Sequence, residues 1–414
     1  MLGTAFCGWS DQSGYSASTS EDIVAMARKL PTSHDIERFV CAQGKSALAF
    51  QNNALVSALV DDDAYRVVIS GRASWRDKRL KELANERGNA RALLSAYQNA
   101  GVRSLDQIGG AFSLALIDRQ KEEVFLAVDR MGILPITFAV SPGTAIAFAT
   151  SAECVDAHSA FKSSISDQAV LHYLFYHVVP SPLSIFSAQQ KLAPGHYALY
   201  SGGELRIEKY WLPHFSQTAG ESLDELAAEL HETLLSSVSR SITQAKAGAF
   251  LSGGIDSSSI AGKLSEIKGN DARTYSIGFE AKGYDEIEYA RVTSTAFRTK
   301  QAEYYVTPED VVDAIPRIVD TYDEPFGNSS AVPVYFCARM ANDDSRNVLL
   351  AGDGGDELFG GNVRYSKQKV FAIYDALPRA MRKSLLEPML IDRDWIGSIP
   401  LLRKVKSYVS QACL

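Results

Sequence analysis

Over roughly the first third of the chain, apolar positions fall in short runs separated by turn residues, at 47–50, 65–70, 111–117, 124–128 and 145–149. Runs of this length bounded by Gly, Pro, Asn, Asp and Ser predict strands, and several in succession predict a layered, mostly β region. Two helices are expected inside it, one after Ser20-Glu21-Asp22 and one near 90–99. A third helical stretch, 167–178, runs up to Pro180, where the chain must turn.

A different pattern follows the polar, aperiodic segment Leu212-Pro213-His214-Phe215-Ser216-Gln217-Thr218-Ala219-Gly220, which reads as a linker. Ser222 and Glu225 have the spacing of a capping box, and Leu223, Leu226, Leu230, Leu234, Val238 and Ile242 recur every three or four residues, so a long amphipathic helix is expected. From 247 onward, apolar strands at 249–251, 274–279, 303–306 and 348–351 alternate with helical stretches, one opening at Thr307-Pro308-Glu309-Asp310. That alternation predicts βαβ units and a parallel sheet. The boundary is therefore set in the linker, with domains at 1–211 and 221–414.

Composition narrows the class without naming a function. In 414 residues, 42 Lys and Arg against 49 Asp and Glu give a net charge of −7, which offers no basic field for nucleic acid. The five cysteines, Cys7, Cys41, Cys154, Cys337 and Cys413, are far apart and form no Cys-x-x-Cys pair, which argues against a disulfide scaffold or zinc site. No window approaches the roughly 18 consecutive apolar residues of a membrane span. A cytoplasmic protein is expected.

The sharpest motif is Leu251-Ser252-Gly253-Gly254-Ile255-Asp256-Ser257-Ser258, at the end of an apolar strand and the start of a helix. Glycines that accept positive φ, converging backbone N–H groups and a helix N-terminus suit a phosphate group. A Walker-type Gly-x-x-x-x-Gly-Lys-Ser/Thr is absent. The plainer alternative is a Gly-Gly strand-to-helix turn with a capping Asp. About a hundred residues on, Ala351-Gly352-Asp353-Gly354-Gly355-Asp356-Glu357-Leu358-Phe359-Gly360-Gly361 follows another strand, with three carboxylates and five glycines in 352–361. Alone it reads as a solvated acidic loop. Parallel strands would bring both turns to one carboxyl edge of the sheet, where Asp256 and Asp356 could share a Mg²⁺ that bridges ATP phosphates.

Taken together with Ser276-Ile277-Gly278-Phe279, Tyr284-Asp285-Glu286, Tyr289-Ala290 and Asp323-Glu324-Pro325-Phe326, these motifs resemble the synthetase domain of glutamine-hydrolysing asparagine synthetases, in order over 247–365. The Ser252–Ser257 loop resembles that of the N-type ATP pyrophosphatases. More weakly, Asp129-Arg130-Met131-Gly132-Ile133-Leu134-Pro135, Phe148-Ala149, Pro194-Gly195-His196 and Tyr210-Trp211 resemble the family's glutaminase domain. The resemblance implies an α/β protein: an N-terminal layered, β-rich, Ntn-hydrolase-like (class II glutamine amidotransferase-like) domain and a C-terminal parallel α/β ATP-pyrophosphatase domain. It implies that a small-molecule or peptide carboxylate attacks the α-phosphate of ATP, that pyrophosphate leaves, and that an amine then displaces AMP. Leu251, Ile277, Ala351 and Gly352 would line the adenosine; Ser252, Gly253, Gly254, Asp256 and Ser257 would hold the phosphates; Asp256 and Asp356 would take Mg²⁺; Asp353 would be the catalytic acidic residue. A homodimer is left open.

Several departures stand out, among them the absence of the family's early His-Arg-Gly-Pro-Asp. The family's glutaminase uses an N-terminal cysteine, whereas residue 2 here is Leu2; Ser70-Gly71-Arg72 replaces an Asn-Gly-Glu that holds glutamine, and Gly88-Asn89-Ala90-Arg91 replaces Ser-Asp-Thr-Glu. The first domain is therefore expected to lack glutaminase activity, with Cys7 as an alternative processed start. Relatives also continue further and supply a catalytic lysine, for which Arg403-Lys404-Val405-Lys406 offers no counterpart, and Arg364 is the substitute considered. The leading expectation is an AMP-forming amide ligase. An intramolecular amide former, as in β-lactam synthetases or lasso-peptide cyclases, and a non-catalytic nucleotide-binding regulator are the alternatives.

Overall fold

The structure, a computed structural model, describes residues 5–390 apart from 12–18, 31–37, 44, 52–56, 142–143, 216–219, 221, 243–245, 281–284, 363–364, 366–373, 375 and 384–386. Leu2, Tyr284, Arg364 and the 403–406 run lie outside the described residues. The chain forms two compact units, one of Met1–Glu232 with Val306–Arg339, the other of Thr233–Tyr305 with Met340–Leu414.

The first unit contains two six-stranded sheets. In one, Phe6–Asp11 runs between Ala145–Ala149 and Ser46–Gln51, antiparallel to both. In the other, Phe112–Asp118 runs between Tyr65–Gly71 and Glu123–Val128, again antiparallel to both. Alternation along these strands explains why the runs carry so little polar sequence. Ile69, Leu114 and Leu116 face a cluster with Leu93 and Leu94 of the helix Asn89–Ala100, while Val68, Ala115 and Ile117 face Phe6, Leu48 and Phe148 of the other sheet. A strand buried on both sides loses the hydrophobic–polar alternation of a solvated sheet.

The helices expected near 90–99 and 167–178 are Asn89–Ala100 and Asp167–Tyr176, the latter ended by His177 in the left-handed conformation. Thr19–Arg28 begins before the expected Ser20-Glu21-Asp22 start and carries Glu21 and Asp22 in its first turn. Ser222 and Glu225 form their reciprocal cap on Leu223–Ser241. Of that helix's apolar stripe, however, Leu223, Leu226 and Leu230 are exposed and Val238 is buried.

In the second unit the strand Ala247–Phe250 pairs in parallel with Arg273–Phe279 on one side and Val348–Leu350 on the other, and Lys300–Val306 completes the sheet. The crossover from Ala247–Phe250 to Arg273–Phe279 contains the helix Ile255–Lys268, whose Leu264 packs with Ala247, Ala249 and Ala272. The parallel order carries both glycine-rich turns to the same sheet edge, because each follows the carboxyl end of one of two adjacent parallel strands. No helix among the described residues is long and apolar enough to cross a membrane.

Candidate nucleotide site

Leu251 closes the central strand and is buried at 2% exposure. Its N–H donates to the Tyr275 carbonyl at 3.0 Å, and its carbonyl accepts from Ser276 Oγ at 2.6 Å. Gln301 Nε2 donates to that same Ser276 oxygen at 2.9 Å. The backbone entering the glycine turn is thus fixed from the neighbouring strand, by side chains that motif reading did not single out as functional.

Gly253 has φ +87°, and a Cβ there would lie 2.5 Å from Tyr289 Cβ and 2.7 Å from Ala290 N. Both the left-handed backbone and the close approach of the helix Ile287–Phe297 demand glycine. Gly254 differs, since its φ is −68° and an added Cβ would meet only Ser252 Oγ, at 3.4 Å. Within the loop, Ser252 N donates to Ser257 Oγ at 3.2 Å and Gly254 N to Ser252 Oγ at 3.3 Å. The backbone donors suited to a phosphate are held in place by the two serine hydroxyls, which can themselves turn to a ligand.

The second turn lies directly on this one. A Cβ at Gly352 would stand 2.8 Å from Asp256 Cβ and from Ser257 N, and one at Gly355 would stand 2.5 Å from the Asp256 carboxylate. Side chains at either position would displace Asp256. The structure therefore brings Ser252, Gly253, Gly254, Asp256 and Ser257 together with Gly352, and places Leu251 and Ala351 at the ends of adjacent strands, with Ile277 half-buried on the neighbouring one. Asp353 and Asp356 are exposed on the acidic turn, and the Asp356 carboxylate lies against Gly361.

Among the described residues, Asp256, Asp353, Asp356 and Glu357 form no ion pair with a Lys or Arg, and no three potential ligands converge on a ready-made metal cage. Mg²⁺ bound with phosphates typically takes only one or two protein carboxylates and fills its octahedron with phosphate oxygens and water. The half-buried Asp256 oxygens, pressed against a glycine that gives them room, suit such a hard cation.

In the first unit the weaker motifs also meet. The buried Asp129 carboxylate accepts from Met131 N at 2.9 Å and Ile133 N at 3.0 Å, organising the loop that follows it. Gly132 packs on Pro194, Gly195 N donates to the Asp129 carbonyl at 3.0 Å, and Tyr210 N and Trp211 N return to the Gly195 carbonyl. Gly71 has φ +100°, with no space for a Cβ beside the Ala111 carbonyl and Leu134. Arg72, next in the chain, has no carboxylate partner among the described residues, and burial lowers its guanidinium pKa. Cys7 is fully buried in mid-strand, opposite Ala49 and Ala149, in a cluster with Trp9, Ile23 and Met26.

The chain thus consists of a β-layered unit with these loops and a unit built on a parallel sheet with paired glycine-rich turns. Residues 229–409 match the asparagine synthase family and residues 76–211 a glutamine amidotransferase domain. A putative glutamine-hydrolysing asparagine synthetase of Mycobacterium tuberculosis (strain ATCC 25618 / H37Rv) is 32% identical over 310 residues, covering 72% of this chain and 46% of its own length. A second from Methanocaldococcus jannaschii is 30% identical over 321 residues, with 75% and 61% covered. Of solved structures, the glutamine phosphoribosylpyrophosphate amidotransferase of B. subtilis aligns over 84% of this chain and 90% of its own at 11% identity, with a TM-score of 0.33, too loose a likeness to carry weight. The chain belongs to the asparagine synthetase family. It spans about half the length of the M. tuberculosis relative.

Proposed function

We propose that this chain is an ATP-dependent amide ligase of the asparagine synthetase kind, acting on a small-molecule or peptide carboxylate such as aspartate. The observation that carries this reading is the seating of Gly352 and Gly355 on Asp256, which joins a phosphate-type loop to an acidic turn at one sheet edge. A substrate carboxylate oxygen attacks the α-phosphorus, the bond to the bridging oxygen breaks, and pyrophosphate leaves with that electron pair. An amine then attacks the acyl carbon, and AMP departs as the new C–N bond forms. Ser252, Gly253, Gly254 and Ser257 orient the leaving phosphates, Leu251, Ile277 and Ala351 face the adenosine, and Asp353 stands beside the reacting carboxylate. Asp256 and Asp356 would hold Mg²⁺, which would supply positive charge against the leaving pyrophosphate, an effect worth several kcal/mol.

The amine comes from a source other than glutamine. Two observations support this: Arg72 puts a cation beside the close-packed Gly71, and Cys7 lies inside a packed core rather than at a substrate surface. The test is carboxylate-dependent ATP–pyrophosphate exchange across the amino acids. Exchange with one or a few carboxylates is expected, and its absence with every carboxylate alongside intact Mg·ATP binding would favour a nucleotide-binding regulator.

A further inference from the structure

The chain leaves the second unit after Tyr305 and rejoins it at Met340; between these points, 306–339 folds with the first unit. This excursion lies wholly inside the region matched to asparagine synthase. Its fastening is specific. Asp323 Oδ1 accepts from Ser151 Oγ at 2.5 Å, and Asp323 Oδ2 accepts from Ala152 N at 2.6 Å. Glu324 Oε1 accepts from Ile185 N at 2.8 Å, and its other oxygen pairs with Lys191 Nζ. That ammonium also donates to the Val179 carbonyl at 2.5 Å, and both side chains of the pair are nearly buried, at 12% and 13% exposure. Beyond Pro325, Gly327 N donates to the His177 carbonyl at 2.8 Å, and Tyr322 stacks on Phe326 with ring centres 4.9 Å apart.

We propose that the amidotransferase-like unit of this chain is the scaffold of its synthase region, with Ser151 and Lys191 as positioning residues that hold Asp323 and Glu324 and thereby fix the 325–330 loop. A nearly buried ion pair in which each partner also bonds a backbone group is held in one geometry, and removing one partner strands a charge. A unit whose glutamine subsite carries Arg72 still has this second task, and that task explains why its core is intact. The link to turnover rests on the proposed amide-ligase reading; the positioning itself does not.

Hydrogen exchange of the full chain, followed by mass spectrometry, tests it in Ser151→Ala and Lys191→Met, with Asp323→Asn as a conservative variant that keeps an acceptor oxygen for Ala152 N. Amides of 323–331 are expected to exchange more than tenfold faster in Ser151→Ala and Lys191→Met and near the parent rate in Asp323→Asn, while peptides of Ile255–Lys268 are unchanged. Where the parent shows carboxylate-dependent exchange, kcat is expected to fall more than tenfold in Lys191→Met with Mg·ATP affinity within twofold. Unchanged exchange at 323–331, or an equal rise in both units, would overturn the scaffold. A parent without turnover would defeat the ligase reading alone, since the hydrogen-exchange result stands apart from it.

Discussion

Single glycines divide the nucleotide loop into positions that need glycine and positions that tolerate a side chain. Gly253→Ala must hold alanine at φ +87° with its Cβ 2.5 Å from Tyr289, and Gly254→Ala must do neither. Holding a non-glycine residue in that region costs about 1–3 kcal/mol before the clash is counted. Gly253→Ala is therefore expected to lose more than tenfold in Mg·ATP affinity by calorimetry, with Gly254→Ala close to the parent. If Asp256 and Asp356 share an ion as proposed, Asp256→Asn and Asp356→Asn should each weaken Mg·ATP; unchanged affinity in both would dismiss the shared ion. The motif was legible because its residue types are dictated by backbone geometry. Ser276 and Tyr289 stand in segments that resemble the synthetase domain, but their contacts with Leu251 and Gly253 were not legible, nor was Gln301, since nothing local marks a residue 25 or more positions away as a neighbour.

A residue in the first unit ties stability to pH. His158 is buried against Trp9 and Phe161, its Nδ1 accepts from Ala160 N at 3.2 Å, and its Nε2 lies 3.9 Å from Asp22. Burial lowers its pKa, outweighing the opposing pull of Asp22 and Asp11. The folded pKa then lies below the unfolded value of about 6.5, so as pH falls the unfolded chain takes up the proton first. The stability due to the neutral ring is full above that pH and declines below it. Thermal unfolding from pH 8 to 5 should show a steeper acid-side loss in the parent than in His158→Phe.

At the scale of elements, pattern succeeded where burial wrote it into the sequence. The doubly buried strands Phe112–Asp118 and Glu123–Val128 were plain as apolar runs. The helix Lys78–Arg87 went unread because it fully buries none of its residues; Leu80, Leu83 and Ala84 pack only partly against the core, between the Asp77 cap, accepting from Arg79 N and Leu80 N, and the closing Gly88. Lys300–Val306 begins three residues before the apolar run expected at 303–306, and in that extension the Gln301 amide reaches Ser276 Oγ on the neighbouring strand. Pro308–Val319, in contrast, announces itself with a complete capping box: Asp310 N donates to Thr307 Oγ1 at 3.2 Å and Thr307 N to Asp310 Oδ2 at 3.0 Å. Loss of such a cap costs about 1 kcal/mol. Thr307→Ala should speed exchange of the first-turn amides severalfold, and an unchanged rate would show that the tertiary setting holds this end.

At the scale of the whole molecule, the amidotransferase-like unit keeps its architecture while the residues expected to meet glutamine differ. Asp129 still gathers its loop, Gly132 still seats on Pro194, and Tyr210 OH still donates to the Val128 carbonyl at 2.7 Å. Packing residues and ligand residues are separable in this way because the former sit in the sheets and their loop cores, and the latter need only point outward. Glutamine carries both an α-carboxylate and an α-ammonium; Arg72 suits the first and repels the second. A thiol at Cys7 would have to leave a core in which it is fully buried, breaking the strand between Ala49 and Ala149. The chain is therefore expected to release no glutamate from glutamine above background, and ammonium or a substrate amine should support amide formation where glutamine does not. Restoring a carboxylate alone, in Arg72→Glu, should not create glutaminase activity, since it supplies a contact for the ammonium but no nucleophile. Glutamate release from the parent that vanishes in Cys7→Ala would reverse this reading and give the buried thiol a catalytic role.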